Sequence, residues 1–143
     1  MKFWDASAVI PLCLAEPLTK LLQAIASDDE AMVVWWGSLV ECHSAFARLH
    51  RDGYLRASEE EQVRDILSLL ADAWTEMEPS EDIRDTALRL LRGHPLRAAD
   101  SLQLASAIVW ADKKPKGHHF VCCDNRLREA AKKEGFSVLP KAL

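Results

Sequence analysis

The sequence predicts an α/β fold: a central parallel sheet covered by helices on both faces. Three observations carry that expectation. Short continuous apolar runs at 3–4, 32–36 and 120–123 read as strands buried on both sides. Segments with apolar residues at helical spacing separate these runs, and strands alternating with helices make parallel sheets through right-handed crossovers. The first run, Phe3-Trp4, passes straight into Asp5 and then small residues, as a central strand does when it delivers one charged group at its carboxyl end.

Each element follows from local chemistry. Ser7 to Leu14 reads as a short first helix that Pro11 ends or kinks. Glu16-Pro17 starts a second, with Leu18, Leu21, Leu22 and Ile25 on one stripe. Ser27-Asp28-Asp29-Glu30 is a solvated break before the second strand, Met32 to Trp36, which Gly37 and Ser38 punctuate. A third helix spans 39–51 and closes at Asp52-Gly53. Ser58 and Glu61 form a capping box for the fourth, whose inner face is Val63, Ile66, Leu67, Leu70 and Trp74. Thr75 to Pro79 is a weak third strand. Ser80 caps a fifth helix that turns Ile83, Ala87, Leu90 and Leu91 inward, and Gly93-His94-Pro95 breaks it. Residues 97–111 form a sixth helix, apolar on nearly every side and therefore central to the core. Beyond a basic loop, Phe120 to Cys123 is the fourth strand. The seventh helix buries Leu127, Ala130 and Ala131 and stops at Gly135. Phe136 to Leu139 is the fifth strand.

A chain of 143 residues fits one domain, 1–143, and an apolar content of 49% builds a real core. The formal charge of −4 argues against simple electrostatic capture of nucleic acid, although two divalent cations would balance four gathered carboxylates. Cys13, Cys42, Cys122 and Cys123 lack the paired spacing of a zinc site. Each sits in an apolar run, as reduced core thiols do, which favours a cytoplasmic protein. Asp5 interrupts any signal-peptide core, and no apolar run is long enough to span a bilayer.

Four carboxylates fall where chemistry is done. Asp5 ends the first strand and Asp124 the fourth, so in a parallel sheet both emerge on one edge. Glu41 sits in the first turn of the helix after the second strand. Asp100 lies near the start of the apolar sixth helix, where an ionised group is costly unless paired. Each also has a plain reading. Asp5 and Asp124 make good helix caps, and Ser38 with Glu41 matches a capping box. Carboxylates gathered together raise one another's pKa values, and a hard divalent cation relieves the repulsion. The matching chemistry is metal-assisted phosphodiester hydrolysis: the metal lowers the pKa of an attacking water, and a spare carboxylate orients that water or takes its proton.

With these residues in place, the chain resembles the PIN-domain family, and within it the VapC-type toxin ribonucleases. Asp5-Ala6-Ser7-Ala8-Val9, with Glu16-Pro17 downstream, is similar to the family's first motif, and Ser38-Leu39-Val40-Glu41-Cys42 to its second. Leu96-Arg97-Ala98-Ala99-Asp100-Ser101-Leu102-Gln103-Leu104-Ala105 resembles the third. Cys123-Asp124-Asn125-Arg126-Leu127, with Ala130-Ala131 and Gly135, resembles the fourth. The resemblance implies a three-layer α/β/α sandwich with strand order 3-2-1-4-5. It implies Mg²⁺- or Mn²⁺-dependent endonuclease activity on RNA, with Asp5, Glu41, Asp100 and Asp124 as the metal-site acids. A homodimer and a cognate VapB-type antitoxin whose tail blocks the acidic pocket are also implied. One position departs from the pattern: two residues before the last Asp, where the family often has Thr or Ser, stands Cys122, and a thiol is a poor partner for Mg²⁺ or its waters.

Ser7 and Asn125 are candidates to support the acids from outside the ligand set. Arg97 and Arg126 are the preferred phosphate contacts, each close in sequence to a site acid. Arg48, Arg51, Arg56, Lys113, Lys114, Lys116 and Arg128 read as solvated faces. Trp35-Trp36 reads as core, His43 and His50 as structural or exposed, and His118-His119 with Cys122-Cys123 does not converge on a soft metal. The leading expectation is thus a metal-dependent endoribonuclease. The alternative is a PIN-like module, weakly active or inactive, that holds RNA or a protein without cleaving. A receiver-like phosphoacceptor domain would want a Lys after its last strand and has little use for Asp100.

Overall fold

The computed structural model describes residues 1–143. Five short strands form one all-parallel sheet: β1 (Lys2–Trp4), β2 (Met32–Trp35), β3 (Thr75–Met77), β4 (His119–Val121) and β5 (Ser137–Leu139). Their order across the sheet is β3-β2-β1-β4-β5, as the family resemblance implies. β1 is central, with Phe3 opposite Val33 on one side and Phe120 on the other. Phe3 and Phe120 stack across that pair, their ring centroids 5.7 Å apart.

Side chains alternate along a strand, so neighbours in β1 serve opposite faces. Phe3 joins Val33, Phe120, Leu90, Leu104 and Leu127 in one core. That layer is built by α5 (Glu81–Gly93), α6 (Ala98–Trp110) and α7 (Asn125–Glu134). Trp4 joins Val34, Leu22, Phe46, Leu67 and Val121 in the other. There the cover is α1 (Ala6–Cys13), α2 (Thr19–Ser27), α3 (Ser38–Arg51) and α4 (Ala57–Ala73). The sixth helix is buried as its composition requires: Ser101 and every residue from Gln103 to Ile108 lie inside.

Several local expectations need correction. Pro11 does not end α1 but sits inside it, buried, two residues before its end. Lacking an N–H, it removes one helical hydrogen bond, and the helix closes with Leu14 N–H on the Pro11 carbonyl. The second helix begins at Thr19, not at Glu16-Pro17, because the Thr19 hydroxyl organises the turn: its Oγ1 lies 2.7 Å from the Pro11 carbonyl and accepts from Glu16 N–H at 2.9 Å. The capping box of α4 forms two residues earlier. Glu59 accepts from the backbone N–H of Arg56, so Ser58 and Glu61 are not the pair. Ile66, Leu91 and Trp36 are exposed, not core. Arg128 is no solvated residue; it is buried and donates to the carbonyls of Cys122 at 2.8 Å and Pro140 at 2.6 Å. It thereby ties the strand-to-helix turn that carries Asp124 to the segment after β5.

Two glycines are required. Gly37 caps α3, and a Cβ there would fall 2.5 Å from the Trp35 indole nitrogen. Gly135 ends α7 at φ 111°, a conformation side chains resist.

Candidate active site

Parallel strands deliver their carboxyl ends to one edge, and ligands of open α/β sheets bind there. Asp5 follows β1 and caps α1, its carboxylate accepting from Ser7 N–H at 3.1 Å and from the Ser7 hydroxyl. Asp124 follows β4 and caps α7, accepting from Leu127 N–H at 3.0 Å. The capping reading of both residues therefore holds, and it fixes where their remaining oxygens lie. Glu41 stands in the first turn of α3 and Asp100 in the first turn of α6. All four line one open cavity of about 680 Å³ at this edge. Ser7, Arg97 and Arg126 also line it, whereas Asn125 is exposed and does not.

The Ser38–Glu41 capping box is absent. Gln103 of α6 takes both groups instead: its Nε2 donates to Ser38 Oγ at 2.9 Å and to Glu41 Oε2. Ser7 is equally committed. Its Oγ donates to Asp5 and accepts from Cys123 N–H at 2.9 Å. Cys122 lies behind the cavity rather than in it. The thiol is buried 3.7 Å from Asp5 Oδ2, and burial, followed by the charge of Asp5, pushes its pKa up.

The electrostatics are those of a crowded acidic site. Burial raises Asp5 from 3.8 to about 6, against the hydrogen bonds from Ser7, and the charges of Asp100 and Asp124 add to the rise. Burial also raises Glu41 from 4.5 to about 7, opposed by Gln103 and reinforced by Asp5 and Asp100. Asp100 is raised by burial and by Asp124, while Arg97 and Arg126 pull it down. No three His, Cys, Asp or Glu side chains anywhere stand at the spacing of a direct metal cluster, the His118-His119 and Cys122-Cys123 pairs included. The acids sense one another's charge across the cavity without closing on a point.

That arrangement fits a hard cation that keeps part of its water shell. The donors are all carboxylate oxygens, and Mg²⁺ characteristically binds through one or two carboxylates with waters between. None of the four acids has a basic side chain within ion-pair distance, although the molecule forms seven ion pairs elsewhere, besides two His–Glu contacts. Arg48, Arg97 and Arg126 line the same cavity and are equally unpaired. Arg48 and Ser44 join Glu41 on one face of α3. Their spacing of three and then four residues was legible in the sequence, but Arg48 read there as a solvated charge. Gln103 was missed as well. Its signal was a lone amide one turn beyond Asp100 on an otherwise apolar helix.

No family model matches the chain. Ribonuclease VapC45 of Mycobacterium tuberculosis is 30% identical over 144 residues, covering 99% of this chain and 96% of the relative. Among solved structures, FitAcB of Neisseria gonorrhoeae superposes with a TM-score of 0.67 at 16% identity, covering 96% of each chain. The sarcin-ricin loop cleaving toxin VapC20 of M. tuberculosis gives 0.65 at 15% identity, covering 96% of this chain and 97% of the other. These two likenesses speak to the fold, and the 30% identity along almost the whole chain speaks to descent. The chain belongs to the VapC-type ribonucleases of the PIN-domain toxin family.

Proposed function

We propose that this chain is a Mg²⁺- or Mn²⁺-dependent endoribonuclease, the toxin of a VapBC-type pair, hydrolysing RNA phosphodiester bonds at Asp5, Glu41, Asp100 and Asp124. One observation carries the reading: a single cavity holds four carboxylates without cations and three arginines without carboxylates. Side chains of opposite charge that share a cavity and leave each other free suit a ligand with both signs, a cation bound to a phosphodiester. The bound cation would supply Lewis acidity and an attacking water of lowered pKa.

The chain's own residues divide the remaining work. Asp5, Glu41, Asp100 and Asp124 hold the cation, Asp5 and Asp124 being fixed by the backbone N–H groups they cap. Whichever carboxylate is not fully used as a ligand orients the water and takes its proton. Arg48, Arg97 and Arg126 donate to phosphate oxygens and set the register of the strand without reading bases. A cognate VapB-type antitoxin would offer groups complementary to the same cavity. A homodimer acting in the cytoplasm completes the proposal; no helix is long and apolar enough to cross a membrane.

The test is RNA cleavage in Mg²⁺ or Mn²⁺ against EDTA, with Asp5→Asn and Asp100→Asn alongside. Cleavage that survives in EDTA, or in both variants, refutes the proposal. The second reading, a module that binds RNA or protein without cleaving, draws on Cys122, where a buried thiol stands in place of the family's usual hydroxyl. RNA retained intact at saturating Mn²⁺ would establish it.

A further inference from the structure

Gln103 is 1% exposed, on a helix whose other buried residues are apolar apart from Ser101 and Ser106. Both hydrogens of its Nε2 are directed at α3, one to Ser38 Oγ and one to Glu41 Oε2. With Glu41 ionised, the opposite amide orientation would set Oε1 against a carboxylate and strand both N–H groups, so the donors face α3. The consequence is that Gln103 Oε1 is buried with no partner at all. A buried acceptor without a donor is destabilising. Against that loss stand two hydrogen bonds, one of them to a carboxylate, and together they secure the placement of Glu41.

We infer that Gln103 is a positioning residue: its amide, anchored on Ser38, clamps Glu41 Oε2 so that the other carboxylate oxygen is presented to a cation in the cavity. The Glu41 carboxylate makes no hydrogen bond to the protein other than this one. Asp100 lies one turn earlier on α6, so a single rigid helix carries one acid and fixes a second that belongs to the opposite layer. The purpose of the clamp rests on the metal reading above; its geometry does not. Groups that hold a ligand from behind are worth about 10–100-fold in metal affinity.

The experiment pairs crystal structures of the parent and Gln103→Met with Mn²⁺ titrations of the full chain followed by electron paramagnetic resonance. Gln103→Met is expected to melt a few degrees below the parent, because it leaves Ser38 Oγ and the Glu41 carboxylate without their donor even as the orphaned acceptor goes. Its Glu41 carboxylate should leave the parent position, and its Mn²⁺ affinity should fall about 10–100-fold. Added to Glu41→Gln, the same change should weaken binding no further. An unmoved Glu41, or unchanged Mn²⁺ affinity where Glu41→Gln reduces it, overturns the inference. A parent that takes up no Mn²⁺ refutes the metal reading instead, and the position of Glu41 in the Gln103→Met crystal then decides the clamp by itself. If Gln103→Met does not fold, Ser38→Ala releases the anchor alone. Several-fold weaker Mn²⁺ binding supports the clamp, and unchanged binding overturns it.

Discussion

Replacing Asp5 by Asn should destroy the nuclease and stabilise the metal-free fold. Asp5 is 5% exposed, and its pKa rises from 3.8 to about 6. At 1.36 kcal/mol per pH unit, keeping it ionised costs the native state about 3 kcal/mol. A carboxyl raised in this way contributes stability that is complete below about 3.8 and is lost as the pH climbs through about 6. Asn has the shape of the neutral acid, caps helices as well as Asp, and can still accept from Ser7 N–H. Its new amide hydrogens lack an obvious partner, which offsets about 1 kcal/mol. The net gain at pH 8 in EDTA is about 2 kcal/mol, or about 6 °C in a domain of this size. It should shrink towards zero or below at pH 4. Saturating Mn²⁺ should reverse the order, since a ligand at 100 times its Kd stabilises the parent by about 2.7 kcal/mol and the variant hardly at all. Thermal melts at pH 4 and pH 8, with EDTA or Mn²⁺, test the whole chain of reasoning. Asp5→Asn melting below the parent in EDTA at pH 8, or a gap that ignores pH, would refute it.

Other outcomes follow from the same geometry. Asp124→Asn keeps the cap on Leu127 N–H, so its melting temperature should shift by only a few degrees while single-turnover cleavage falls by about 100-fold or more; retained activity would remove Asp124 from the working acids. Arg48→Ala should leave the fold intact and reduce the slope of log affinity against log salt for single-stranded RNA by about 0.7, the value of one phosphate contact, as read by fluorescence anisotropy. An unchanged slope would put Arg48 off the path of the strand. Leu104, fully buried in the layer over Phe3, should cost about 2–5 kcal/mol in urea unfolding when changed to Ala. A loss under 1 kcal/mol would mean that the core there can collapse.

The sequence made the layers legible because they rest on periodicity. Uninterrupted apolar runs mark strands covered on both sides, and α6 announced its central place by having no polar face. The acids were legible because strand ends in a parallel sheet share an edge, so Asp5 and Asp124 needed only chain order to be placed together. What escaped depended on contacts between segments far apart in the chain. Ser38-Leu39-Val40-Glu41 reads as a capping box because local spacing is all that a sequence displays. Gln103, 62 residues from Glu41, competes for the same groups and wins. Arg128 reads as a surface charge until its two carbonyl partners are brought to it by the fold. Thr19 shifts a helix start by hydrogen bonds to a turn that no propensity encodes.

The cavity takes α1 and α3 from one side of the sheet and α6 and α7 from the other. Anything that bridges its walls therefore acts as a rivet through the whole sandwich. Occupancy should slow amide hydrogen exchange in both helical leaves together, including stretches remote from the opening. A leaf that stayed as labile as before would mean that the bound group grips one side alone.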